Sequence, residues 1–188
     1  MSSHEDIDQR TGLPDELCVL LKEYPRATWQ QDMTPLAQFW IDKHNDFRRL
    51  CAALQAALDK HRSDAGEMAA FANEVAYLTH FLISTLQGHH EVEDHHYFPA
   101  FRTADPRLGA GFDVLASDHG LLRGSGTSAI ESLHSLQHCV EAPGRAAGDA
   151  QKRAADACIE ASDLLCRRIL RHLDDEEDLV IPLMLAHR

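Results

Sequence analysis

Two stretches of the sequence, HHEVEDHHYFP at 89–99 and HLDDEEDLVIP at 172–182, follow one pattern. Each begins with a histidine, has a glutamate four residues later (Glu93 and Glu176), and ends in an aromatic or aliphatic residue followed by proline. Residues four apart on an α-helix lie about 40° apart around the axis, so they share a face. Each pair can aim an imidazole and a carboxylate at one point, which predicts metal ligands on helices.

A single histidine precedes each of these pairs along the chain, His44 in the first half and His119 in the second. Counted from the nearest helix breakers, all four histidines lie at a similar depth in their helices. If the helices alternate in direction, the histidines therefore fall in one layer. Carboxylates can bridge two cations and histidines can complete each coordination sphere, so the set is large enough for two metal ions. The predicted ligands are His44, His89, Glu93, His119, His172 and Glu176.

The rest of the sequence predicts an all-α protein. Aromatic residues make up only 6% of the chain, which is rich in Ala, Leu, Asp and Glu and so favours helix over strand. Thr34-Pro35 is typical of a helix start, and EAPG at 141–144 of a break. We expect an antiparallel up-down-up-down four-helix bundle over 34–188, preceded by an N-terminal leader, 1–33, with a short helix at 15–23. The four predicted helices cover about 34–61, 67–98 (stopped by Pro99), 112–140 and 146–180 (with Pro182 at its tail).

Composition excludes several classes of partner. The formal net charge of −12 disfavours nucleic acid and anionic membranes. The N-terminus lacks the apolar core of a signal peptide, and the apolar stretches are too short for a membrane span, so we expect a cytoplasmic protein. The five cysteines are scattered without a C-x-x-C motif, which indicates reduced thiols.

Most of the other histidines and acidic residues are interpreted as surface groups. His90 is the exception: it lies about 100° around the helix from His89, with Glu93 between them, and is a candidate additional metal ligand. The acidic residues around Glu176 are expected to form a solvated face. They are Asp174, Asp175, Glu177 and Asp178.

In its order of ligands, H…HxxxE…H…HxxxE, the chain resembles the hemerythrin-like (HHE cation-binding) domain from Thr34 to Ala186. The resemblance implies a non-haem di-iron centre of two iron ions with an oxo or hydroxo bridge, and Glu93 and Glu176 as the bridging carboxylates. Oxygen-carrying hemerythrins have a further histidine where this chain has Arg123, so one iron has fewer nitrogens unless His90 supplies one.

This resemblance favours a protein that binds or senses dioxygen, nitric oxide or a peroxide, or reports iron status. Two alternatives remain: a di-iron enzyme that turns over peroxide or nitric oxide, and a structural bundle that binds zinc, which imidazole and carboxylate also suit. The sequence shows no dedicated catalytic residues beyond the metal centre. A ferritin-like oxidase would carry Glu-x-x-His motifs, the reverse of the order here.

Overall fold

The computed structural model describes residues 6–64, 66–141 and 147–187, and within these ranges the chain is helical with no strand. This confirms the all-α class. The α-helices are α1 (Trp29–Asp32), α2 (Pro35–Ser63), α3 (Met68–Val92), α4 (Phe98–Ala104), α5 (Gly109–Glu141) and α6 (Ala147–Ala186). Single 3-10 turns lie at Arg26–Thr28 and Pro106–Leu108, and a π-helical turn joins α3 to α4 at Glu93–Tyr97.

Local chemistry explains the start of α2. The Thr34 side chain accepts a hydrogen bond from the backbone N–H of Ala37 at 3.1 Å, and Pro35 occupies the first helical position, where its missing N–H costs nothing. The predicted N-cap is therefore confirmed.

Pro99, which was predicted to stop its helix, does not end the helical path of the chain. Before Pro99 the backbone widens into the π-turn, in which the N–H of Phe98 donates to the carbonyl of Glu93. A proline cannot donate to the carbonyl four residues back and its ring crowds that group, so the wider turn admits Pro99 into the first turn of α4. The last helix likewise continues through Pro182 to Ala186.

The short helix expected at 15–23 does not form. This stretch makes turns, among them one in which the N–H of Leu21 donates to the carbonyl of Cys18 at 2.9 Å. Of the predicted break at 141–144, Glu141 is the last residue of α5, and 142–144 lie outside the described residues.

The chain folds into two compact units, and the first comprises the described parts of Met1–Asp46, Gly88–Leu121 and Arg168–Arg188. Its apolar core includes residues of α2, α4, α5 and α6, such as Trp40 and Phe112. Residues 6–33, called the N-terminal segment below, contribute Cys18, Leu20 and Trp29 to the same core. The segment is therefore packed into this unit.

The second unit comprises Phe47–Gln87 and Leu122–Arg167 without the undescribed residues. Its buried side chains are mainly aliphatic, with Leu54, Leu58, Val75, Leu133 and Leu165 fully buried. No helix in the described ranges is long and apolar enough to cross a membrane.

Candidate metal centre

Three histidines and a glutamate form a first buried cluster in the first unit. His90 of α3, Glu93 of the π-turn, His119 of α5 and His172 of α6 offer ligand atoms that all lie within 4.8 Å of one another. The Nε2 atoms of His119 and His172 are 3.2 Å apart. The His90 ring stacks on His119 with centroids 3.8 Å apart, so three imidazoles converge.

A second cluster shares Glu93 with the first. His44 of α2, His89 of α3, Glu93 and Glu176 of α6 place their ligand atoms within the same 4.8 Å limit. The rings of His44 and His89 meet edge to face, with centroids 5.5 Å apart. The six predicted ligands are thus brought together, and His90 joins them.

Glu93 lies between the two clusters. Its Oε1 is 2.8 Å from Nε2 of His89 in the second cluster, and its Oε2 is 3.6 Å from Nε2 of His119 in the first. One carboxylate therefore offers one oxygen to each group of histidines.

Glu176 repeats this arrangement from α6. Its Oε1 is 3.4 Å from Nε2 of His44, and its Oε2 is 3.2 Å from Nε2 of His172. The indole N–H of Trp40 also donates to Oε1 at 2.7 Å, which fixes the rotation of the carboxylate.

Several of these atoms are buried without hydrogen bonds. Nε2 of His44, Nε2 of His90, both oxygens of Glu93 and Oε2 of Glu176 form none with any residue in the described ranges. A buried polar atom left unsatisfied costs about 1–3 kcal/mol, more if it is charged. Imidazole nitrogens and carboxylate oxygens that face one another unpaired fit a group that accepts electron pairs from all of them, as a metal ion does.

The protonation of three histidines suits metal binding. Burial lowers the pKa of His89 to about 3, and burial together with the charge of His172 lowers the pKa of His119 to about 4. Burial also lowers the pKa of His90 well below its ordinary value. At pH 7 these imidazoles are neutral, the form that binds metal.

The pKa values of the two glutamates are shifted in opposite directions. Burial and the charge of Glu176 raise the pKa of Glu93 well above normal. Burial would also raise that of Glu176, but His44 and His172 outweigh it and lower the pKa. Burial also opposes the protonation of His172, yet the nearby carboxylates of Asp118 and Glu176 raise its pKa to about 9. Two neighbouring carboxylates thus compete for the same positive charge, which a dication would supply.

The Nδ1 atoms of three of these histidines contact carboxylates on the side away from the clusters. Such a bond sets the ring orientation and keeps Nε2 directed inward. The pairs are His44 with Glu177 at 3.0 Å, His119 with Asp94 at 2.7 Å and His172 with Asp118 at 3.4 Å.

The expectation of a solvated acidic face on α6 was wrong for two residues. Asp175 and Glu177 are buried. Asp175 pairs with Arg10 at 2.6 Å, and Glu177 contacts Nδ1 of His44. Sequence reasoning also missed Trp40, although its position four residues before His44 on α2 would have placed both on one face.

A family comparison agrees with this geometry. The model of the hemerythrin HHE cation binding domain matches residues 36–183. The chain belongs to the hemerythrin HHE family. No curated protein and no solved structure matches it.

In this hemerythrin-family chain, Arg123 stands where oxygen-carrying members have a histidine, and the structure shows where Arg123 and His90 lie. The Arg123 side chain is exposed, while His90 occupies a place beside His119 and His172. His80 and His187 are exposed and belong to neither cluster. The N-terminal segment lies outside the matched residues.

Proposed function

We propose that this hemerythrin-family chain is a non-haem di-iron protein that binds or senses dioxygen, nitric oxide or a peroxide. Its ligands are the seven residues of the two clusters, including His90. They are held by α2, α3, α5, α6 and the π-turn that follows α3, and we take the four long helices to form an antiparallel four-helix bundle over 34–188. The observation that carries the proposal is the placement of Glu93 and Glu176, each with one oxygen toward either cluster.

The number of donors favours iron over structural zinc. With both glutamates shared, the cluster of His90, His119 and His172 offers five donors to one ion. Structural zinc is almost always bound by four ligands, whereas iron accepts more and suits imidazole and carboxylate. The bound iron would supply reversible binding of, or electron transfer to, the small ligand.

The two ions differ in the room left for such a ligand. The second cluster has only two histidines, His44 and His89, so its ion keeps more positions for an exogenous ligand. The His89 side chain is 16% exposed, while the other cluster histidines are buried. Trp40 packs beside it, with ring centroids 6.3 Å apart, and Tyr97 lies edge-on to Trp40 at 4.9 Å. This partly exposed, largely aromatic side is where we expect a ligand of two or three atoms to reach the metal.

Metal analysis together with the optical spectrum of freshly purified protein tests the proposal. After expression in iron-replete medium we expect about two irons per chain and near-ultraviolet absorption from an oxo bridge when oxidised. One zinc per chain without iron would refute it. His80→Ala, which alters an exposed histidine outside both clusters, is the matched control and should keep both irons.

A second measurement separates binding from turnover. Nitric oxide, dioxygen or peroxide is added to the reduced protein and the spectrum is followed. A stoichiometric, reversible change supports binding or sensing. Consumption of many equivalents per chain would favour the redox enzyme.

A further inference from the structure

Arg10 of the N-terminal segment reaches the outer side of the candidate metal centre. Its side chain is 1% exposed. The guanidinium donates to both oxygens of Asp118, one of them at 3.1 Å, and through Nε to Oδ2 of Asp175 at 2.6 Å. A planar guanidinium can donate two parallel hydrogen bonds to one carboxylate and a further hydrogen bond to a second partner. Arg10 therefore joins α5 to α6.

Both aspartates stand next to predicted ligands. Asp118 immediately precedes His119 and also contacts Nδ1 of His172 at 3.4 Å, while Asp175 immediately precedes Glu176. A change in either aspartate is thus transmitted to a cluster residue through one peptide bond or one hydrogen bond.

We propose that Arg10 is a positioning residue of the metal centre: it holds Asp118 against His172 and joins the two helices beside their ligands. This inference rests on the proposed metal binding, and it makes the N-terminal segment part of the site although the segment lies outside the family match. Without Arg10, Asp118 loses its buried guanidinium partner, whereas Asp175 keeps Arg171, whose Nη2 lies 2.6 Å from its Oδ1. Asp118 must then rotate or admit water, and either response loosens its contact with the His172 ring.

A second arginine of the segment acts on the other cluster in the same way, but more weakly. Arg26 lies 3.4 Å from Oε2 of Glu177, whose Oε1 contacts Nδ1 of His44. Its side chain is 44% exposed, so water screens the interaction. Removing Arg26 should therefore affect metal binding less than removing Arg10.

The test measures the affinity of the full chain for Co²⁺ by competition with a coloured chelator. Losing a hydrogen-bond partner of a ligand typically costs about 10- to 100-fold in metal affinity. Because Arg10 reaches His172 through Asp118, we expect a loss toward the lower end of this range for Arg10→Gln. Arg10→Lys keeps a positive charge but loses the two parallel N–H donors, so the affinity of this variant for Co²⁺ should fall between that of Arg10→Gln and wild type. Unchanged affinity in both variants would overturn the proposal; if the glutamine variant fails to fold, unchanged affinity in the lysine variant alone would do so.

The matched control is Arg168→Gln. Arg168 of α6 binds the same N-terminal segment through Asp8, with Nε 2.8 Å from Oδ1. This substitution loosens the segment but leaves Arg10 and Asp118 in place, so affinity should stay near wild type. If it falls as far as in Arg10→Gln, the segment acts only as a general clamp and the proposal is wrong.

A double-mutant cycle tests whether Arg10 works through Asp118. In the Asp118→Asn background, Arg10→Gln should lower the affinity little further, because the partner through which it acts is already altered. If the fold losses in affinity from the two substitutions simply multiply, Arg10 does not act through Asp118 and the positioning role is refuted.

A measurement on metal-free protein tests the role of Arg10 independently of the proposed function. In metal-free protein, the Nδ1–H of His172 should exchange with solvent faster in Arg10→Gln than in wild type, and at the wild-type rate in Arg168→Gln. Equal rates in all three proteins would overturn the role of Arg10. If wild type binds neither Co²⁺ nor iron, the proposed function fails, and this exchange measurement still decides what Arg10 does.

Discussion

Metal removal should lower the stability of this protein measurably at pH 7. The stabilisation by metal has a structural source. The carboxylates of Glu93 and Glu176 lie close enough for the charge of one to act on the other, and Nε2 of His44 and of His90 make no hydrogen bond with any described residue. A ligand bound only by the native state adds about 3–4 kcal/mol at 100 to 1,000 times its dissociation constant. For a chain of this size, each kcal/mol shifts the melting temperature by about 2–4 °C. We therefore expect chelated protein to melt at least about 6 °C below the metal-loaded form.

Circular dichroism melts of loaded and chelated samples measure this difference, with metal content checked in each. The gap should shrink as the pH falls towards about 5, because protons compete with the metal for imidazoles whose ordinary pKa is about 6.5. Glu93→Gln, which removes a carboxylate charge at nearly constant shape, provides the control and should show a smaller gap or none. Equal melting temperatures at pH 7 after verified metal removal would show that the centre contributes little to the fold.

Three further predictions concern the ligands. His172→Ala and Glu93→Ala should each remove most of the metal, whereas His80→Ala and His187→Ala should retain it; equal retention in all four would contradict the assignment. His90→Ala should lose about one metal equivalent or change the spectrum, because it takes one of three imidazoles from the first cluster, and unchanged metal content and spectrum would exclude it as a ligand. The pKa of about 9 makes His172 a cation at pH 7 in metal-free protein, so metal binding must displace its proton and affinity should rise with pH up to about 9. Calorimetric titration in buffers of different ionisation enthalpy counts that proton, and none released at pH 7 would contradict the reasoning.

Helical periodicity made the core of the site predictable. A His-x3-Glu pair depends only on the 3.6-residue period of one helix, so the side chains of His89 and Glu93 share a face wherever that helix packs. The same holds for His172 and Glu176. Their common layer followed from counting residues to the nearest breakers.

Helix ends were less predictable, because the local preference of proline competes with packing. Pro99 was expected to stop its helix, yet the π-turn at Glu93–Tyr97 opens the backbone enough to admit it. Phe98, just before it, is buried in the core of the first unit, and such burial favours keeping the chain helical there.

The sequence by itself determined the helical class through its composition. It determined the family and the six predicted ligands through the spacing of the two His-x3-Glu pairs and the order of the single histidines before them. Only the tertiary structure decided that His90 faces His119 and His172, and that Asp118 and Asp175 are buried. No period relates Arg10 to these aspartates, which lie more than a hundred residues further along the chain. Whether an acidic side chain is solvated or buried depends on a counter-charge that folding brings to it, and spacing within one helix carries no record of that partner.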